Sequence, residues 1–196
     1  MLDQLYNKEA GDIKVDKAGT DIVFHPHITG GYLKSIIDNS SRDTKSMKYF
    51  TFMRHPVDML WSYYKFFKPD HQSKYTFSPG WESDNLMSFE KWICEGRLGA
   101  NTNWLLHAPK WIKSNDLSVL ALEFYACNQE GIPILDRIFQ IENPTPCQEW
   151  LQEMTGKEVK LIHTNQSEQA ERPEVGQEAI DKIRRTFRWE CALYGV

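Results

Sequence analysis

The stretch Lys48-Tyr49-Phe50-Thr51-Phe52-Met53-Arg54-His55-Pro56-Val57-Asp58-Met59-Leu60-Trp61-Ser62-Tyr63-Tyr64-Lys65-Phe66-Phe67 decides the fold. Its aromatic and apolar beginning predicts a buried strand over Lys48 to Met53. Pro56 suits a first helical turn, where its missing N–H has no partner to lose, and Asp58 suits the positive end of the helix dipole. From Val57 to Phe67 the residues Met59, Leu60, Tyr63, Phe66 and Phe67 recur at helical spacing and are expected to face the core. A strand that feeds a helix through a tight turn gathers free backbone N–H groups and a positive dipole end at one point, a ready site for phosphate. Arg54 ends the strand, where its planar fork suits bidentate capture of such an anion. Ser62 falls about one and a half turns into the helix, with a hydroxyl able to reach the same group. The plainer reading is a surface ion pair and a polar helix position, and the residues alone leave both open.

Upstream, residues 1–20 read as an irregular lead-in with at most a short strand at Asp12 to Val15. Asp21 to Phe24 is a β-type run stopped by Pro26, and Gly30-Gly31 precedes a short helix from Tyr32 to Ile37. Downstream, Pro69 to Ser83 has the composition of a surface loop. Helices are expected over Met87 to Glu95, Asn103 to Trp111, Thr145 to Thr155 and Pro173 to Leu193, and a second strand within Leu117 to Phe124. The alternation predicts an α/β fold, with helices flanking a parallel sheet, in one domain spanning residues 1–196.

Composition narrows the function. With 196 residues, 41 % hydrophobic and 13 % aromatic, the chain can bury roughly 70 % of its unfolded surface. Lys+Arg at 23 against Asp+Glu at 27 leaves a net charge of −4, too little cationic field to attract nucleic acid or an anionic membrane. No apolar run approaches the roughly 20 residues of a membrane span, and the polar start lacks a secretory pattern, so a cytoplasmic protein is expected. Cys94, Cys127, Cys147 and Cys191 are scattered without metal or redox spacing and are expected to be buried thiols. No zinc set stands out around His55, His71, His107 and His163, so no metal is expected.

Lys48 to Tyr64 resembles the 3′-phosphate-binding segment of sulfotransferases that use 3′-phosphoadenosine 5′-phosphosulfate (PAPS): an Arg ends a strand, a Pro follows two positions later, and a Ser stands eight after the Arg. The resemblance implies that Arg54 and Ser62 bind the 3′-phosphate and that the parallel sheet is of the kind shared by sulfotransferases and P-loop nucleotide kinases. Leu135 to Asn143, with its closing Glu142-Asn143 pair and the helix ending near Gly156, is similar to a segment of carbohydrate sulfotransferases. His163-Thr164-Asn165-Gln166-Ser167 is similar to their Asn-x-Ser stretch, which implies that Asn165 and Ser167 lie near the nucleotide. The helix from Ile180 to Gly195, with an acidic residue before its aromatic-Gly end, also looks like theirs. Phe24-His25-Pro26-His27 resembles an element of the uronyl 2-O-sulfotransferase branch and makes His27, or His25, the candidate general base. Ile13 to Thr20 resembles the loop that cradles the 5′-phosphosulfate, which would assign Lys17 to the reacting group and Gly19 and Thr20 to the phosphosulfate. It departs from that pattern in Asp16 and Asp21, which repel an anion, and in the extended run that follows in place of a helix.

The expected activity is transfer of a sulfuryl group from PAPS, as co-substrate, to a hydroxyl of a saccharide or other small acceptor, releasing adenosine 3′,5′-bisphosphate. A histidine near neutral pKa suits removal of the acceptor's proton. The His-Pro-His residues read equally well as structural histidines. The alternative function is an inactive relative that keeps only the 3′-phosphate pocket. A nucleotide kinase is disfavoured, because no Gly-x-x-x-x-Gly-Lys-Ser/Thr loop occurs. Arg97, Lys110 and Lys113 form either a rim for an acidic sugar or an ordinary solvated face.

Overall fold

A computed structural model describes residues 13–17, 20–24, 30–39, 46–67, 88–96, 98, 118, 120–161 and 171–196. The elements in chain order are β1 (Ile13–Lys17), β2 (Thr20–Phe24), α1 (Gly30–Asp38), β3 (Phe50–Met53), α2 (Pro56–Phe67), α3 (Phe89–Glu95), α4 (Leu122–Ala126), β4 (Arg137–Gln140), α5 (Thr145–Thr155), α6 (Gln177–Thr186) and α7 (Arg188–Tyr194). β3 and β4 pair in parallel, Phe50 opposite Arg137 through Met53 opposite Gln140. β1 and β2 form a separate antiparallel pair, Lys17 opposite Thr20. The class is mixed α/β, as the alternation implied.

Because side chains alternate along a strand, each face of the β3–β4 pair takes its own cover. On one face the rings of Phe50, Phe52 and Phe139 cluster, and Trp150 of α5 covers two of them, its ring 5.3 Å from that of Phe50 and 5.7 Å from that of Phe139. On the other, Met53 packs with Leu122 and Ala126 of α4, with Ile138, Trp189 and Tyr194 around them. The pairing starts at Asp136, whose carboxylate accepts the Tyr49 N–H and the Lys48 ammonium, each at 2.9 Å. It closes where Ile141 N–H donates to Met53 O at 2.8 Å.

The main core lies beside this sheet. Val57, Leu60 and Tyr64 of α2 meet Phe89, Trp92 and Ile93 of α3 and Ala179 and Ile183 of α6, with Phe187 and Cys191 closing the cluster. The buried stripe of α2 is thus Val57-Leu60-Tyr64. Of the residues expected to face the core, Leu60 is fully buried and Met59 and Tyr63 pack partly against it, while the side chains of Phe66 and Phe67 lie outside the described set. Helix α3 is fastened to α6 at both ends: Glu90 accepts the Gly176 N–H at 2.7 Å, and Lys182 donates to the carbonyls of Cys94 and Gly96. Cys127, Cys147 and Cys191 are buried, and burial pushes the Cys127 and Cys191 thiols up to about 11.

Several boundaries differ from expectation. The lead-in contains a real strand, β1, which pairs with β2. The apolar run expected as a strand within Leu117 to Phe124 instead enters the short helix α4. A buried carboxylate drives that choice: Glu190, 1 % exposed, accepts the Leu122 N–H at 2.6 Å and so satisfies an orphan donor of a helix start. The expected helix over Pro173 to Leu193 is two helices, broken where Phe187 (φ −126, ψ 58) turns its fully buried ring into the core. β4 carries no strand expectation at all. The Asn103 to Trp111 helix and the Pro69 to Ser83 loop lie outside the described residues. Among the described residues, no helix is long and apolar enough to cross a membrane.

Two measurements check these energetics. A Cβ on Gly30 would overlap the Tyr125 carbonyl where α1 packs on α4, so Gly30→Ala is expected to cost about 1–3 kcal/mol in urea unfolding. Burial raises the Glu190 carboxyl above its ordinary 4.5, and Glu123 adds to this against the lowering effect of the Leu122 N–H. A raised folded value contributes stability that is present below the unfolded value and lost as pH rises through the folded one. The melting temperature of the native chain minus that of Glu190→Gln should therefore increase from about pH 8 to about pH 5.

Candidate functional site

Ligands of open parallel sheets bind outside the carboxyl ends of the strands. Here that edge is where Met53 and Gln140 end, and where the chain turns through Arg54 and His55 into α2. Pro56 opens the helix, and the His55 carbonyl accepts the Met59 N–H at 2.9 Å, which leaves the Val57 and Asp58 N–H groups without helical partners at the positive dipole end.

Two carboxylates face this turn, and both are occupied. Asp58 takes Arg172 Nε at 3.1 Å, with His55 Nδ1 at 3.8 Å. Glu142, just past β4, accepts the His55 N–H at 3.2 Å on Oε1 and the Tyr194 hydroxyl at 2.5 Å on Oε2. Burial works to raise the Glu142 carboxyl, but hydrogen bonds from Tyr194, its own backbone N–H and His55, with the nearby Arg54 charge, outweigh burial and hold it below its ordinary value. Tyr194 also approaches Met53 O at 3.0 Å, and its ring meets the His55 ring edge-on at 5.3 Å.

Arg54 is exposed and, among the described residues, has no ion pair. Among the described residues it is Arg172, not Arg54, that pairs with Asp58. Ser62 is half-buried on α2, one turn beyond Asp58, and its hydroxyl has no hydrogen-bond partner among the described residues. Arg54 and Ser62 thus lie on one strand–turn–helix unit, each with hydrogen-bonding capacity unused among the described residues. A shallow depression of about 430 Å³ lies elsewhere, on α5, lined by Glu149, Gln152, Glu153 and Gly156. Its carboxylates would repel a phosphate.

Comparison with known family models, curated proteins and solved structures finds no match to this chain.

The remaining expected site residues are distributed as follows. Lys17 ends β1 and Thr20 begins β2, directly opposite one another. The chain continues from Thr20 as strand β2 and not as a helix. His25, His27, Gly19, Asn165 and Ser167 lie outside the described residues, as do Arg97, Lys110 and Lys113. No three of His, Cys, Asp or Glu converge as metal ligands among the described residues. Sequence reasoning did not assign His55, Asp58, Glu142, Arg172 or Tyr194 to the site. The available signal was Glu142 after a short apolar segment and Tyr194 before the helix-ending Gly195, yet only tertiary contact joins them.

The charges around His55 make a measurable prediction. Burial lowers its pKa below the ordinary 6.5; Asp58 acts against this, Arg172 with it, and Glu142 against it. The neutral ring is therefore favoured, and the stability His55 contributes is present above about 6.5 and lost as pH falls through its folded value. In an NMR titration, Asp58→Asn should depress the His55 midpoint further and Arg172→Ala should raise it.

Proposed function

We propose that the chain binds a 3′-phosphorylated adenosine nucleotide at the β3–α2 turn and acts as a PAPS-dependent sulfotransferase of the carbohydrate type. The observation that carries this is Arg54, exposed at the strand's end, with Ser62 eight positions on in α2, neither having an ion-pair or hydrogen-bond partner for its side chain among the described residues. The guanidinium fork and the hydroxyl supply donors to one phosphate, and the start of α2 adds its dipole. Helices on both faces of a parallel pair are compatible with a sulfotransferase or nucleotide-kinase type of sheet.

In this reading the acceptor hydroxyl attacks the sulfur of PAPS in line. His27, or His25, takes the proton, the bond from sulfur to the bridging oxygen breaks, and adenosine 3′,5′-bisphosphate leaves. Lys17, Gly19 and Thr20 would face the phosphosulfate, and Asn165 and Ser167 the nucleotide. The acceptor is a saccharide or another small hydroxyl compound. No metal takes part.

The β1–β2 pair favours a second reading. Where a phosphosulfate cradle calls for a strand, a loop and a helix, Thr20 continues as a strand, flanked by Asp16 and Asp21. A module that keeps the 3′-phosphate contact and lacks transfer activity accords with that geometry.

Calorimetry with adenosine 3′,5′-bisphosphate tests the shared part. Arg54→Ala should weaken binding by about 2 kcal/mol, roughly 30-fold, while affinity for adenosine 5′-monophosphate stays unchanged. Equal bisphosphate affinity in the variant would remove Arg54 from the site. Transfer of labelled sulfate from PAPS to a hydroxyl panel, lost in His27→Ala and His25→Ala together, separates the enzyme from the inactive module.

A further inference from the structure

We infer that Tyr194 is a positioning residue for phosphate capture, acting through Glu142 on the turn that carries Arg54. This inference rests on the reading of Arg54 as a phosphate ligand. The backbone groups on both sides of Arg54 are committed. Met53 O accepts the Ile141 N–H at 2.8 Å, His55 N–H donates to Glu142 at 3.2 Å, and His55 O accepts the Met59 N–H at 2.9 Å. The turn is therefore fixed by β4 on one side and by α2 on the other, and Glu142 fastens it through a side chain.

Glu142 is also a danger to the site. Its charge interacts with that of Arg54, so a swing of its side chain toward that guanidinium would supply an intramolecular partner in place of phosphate. Tyr194 prevents the swing. Its hydroxyl has a single proton, within reach of both Glu142 Oε2 and Met53 O, and the charged carboxylate is the stronger acceptor. Burial raises the Tyr194 hydroxyl, so it remains a donor at neutral pH. The Tyr194 ring, edge-on to His55, closes the same group from the α7 side. With Tyr194 in place, both Glu142 oxygens point at donors other than Arg54.

The experiment is a double-mutant cycle between Tyr194→Phe and Glu142→Gln, read by calorimetry with adenosine 3′,5′-bisphosphate and with adenosine 5′-monophosphate. Phe preserves the ring packing, and Gln preserves an acceptor for the His55 N–H while removing the charge. Tyr194→Phe alone should lower bisphosphate affinity about tenfold and leave monophosphate affinity unchanged. In the Glu142→Gln background the same substitution should have almost no effect, because an uncharged amide does not compete for Arg54. Equal losses in both backgrounds, or no loss in either, would overturn the inference. Hydrogen exchange at the His55 amide judges the clamp without ligand: faster exchange in Tyr194→Phe supports it, and unchanged exchange overturns it. Absence of bisphosphate binding by the native chain overturns the phosphate reading itself, and is told apart from a failed clamp by that exchange measurement.

Discussion

The Glu142 carboxylate holds together pieces of chain that have no local reason to meet. It receives a backbone N–H from the end of one parallel strand's turn and a hydroxyl from the last helix, while sitting just beyond the partner strand. Asp136 does the corresponding work at the other end, accepting from Tyr49 and Lys48. A four-residue parallel ladder has few backbone bonds with which to define its register, and a slip by one residue would put Phe52 and Phe139 on opposite faces. Carboxylates flanking β4 at both ends supply what so short a ladder lacks.

The rest of the architecture follows from covering that pair. Trp150 closes the Phe50–Phe139 face, and α4 and α7 close the Met53 face. Helix α7 reaches the edge because the chain breaks at Phe187: the buried ring anchors the bend in the core, and the new helix direction delivers Tyr194 to Glu142. The same bend places Glu190 against the start of α4. One departure from helical geometry thereby connects the core, a helix cap and the candidate anion site.

How much of this could be read from the chain depended on whether the signal was local. The β3–α2 unit was legible because aromatic strand residues stop at Arg54 and Pro56 punctuates the helix start. Helix α5 was legible to its ends, since Gly156 adopts the left-handed conformation (φ +66) that terminates it. β4 was not: its outer residues, Arg137 and Gln140, are polar, and pairing with β3 is what makes it a strand. The break at Phe187 lacks glycine or proline, and the helical choice for Leu122–Ala126 depends on a carboxylate 68 residues away. Of the site, Arg54 and Ser62 were visible because they share one unit, whereas Glu142 and Tyr194 are joined across 52 residues by a contact that only the folded chain creates.

The long span between β3 and β4 bears on how the molecule acquires this arrangement. His55 and Glu142 are separated by 87 residues, and their pairing in a parallel sheet allows no tight hairpin to bring them together. Closing so wide a loop is an entropic cost met before any ladder bond is gained, which places the sheet late in the order of assembly. The α2–α3–α6 core, built from helices of which α3 carries its own Ser88 cap, is suited to act as the nucleus on which that late pairing condenses. The meeting of His55, Glu142 and Tyr194 would then arise only with the final stage of folding, so partly folded chains would lack it.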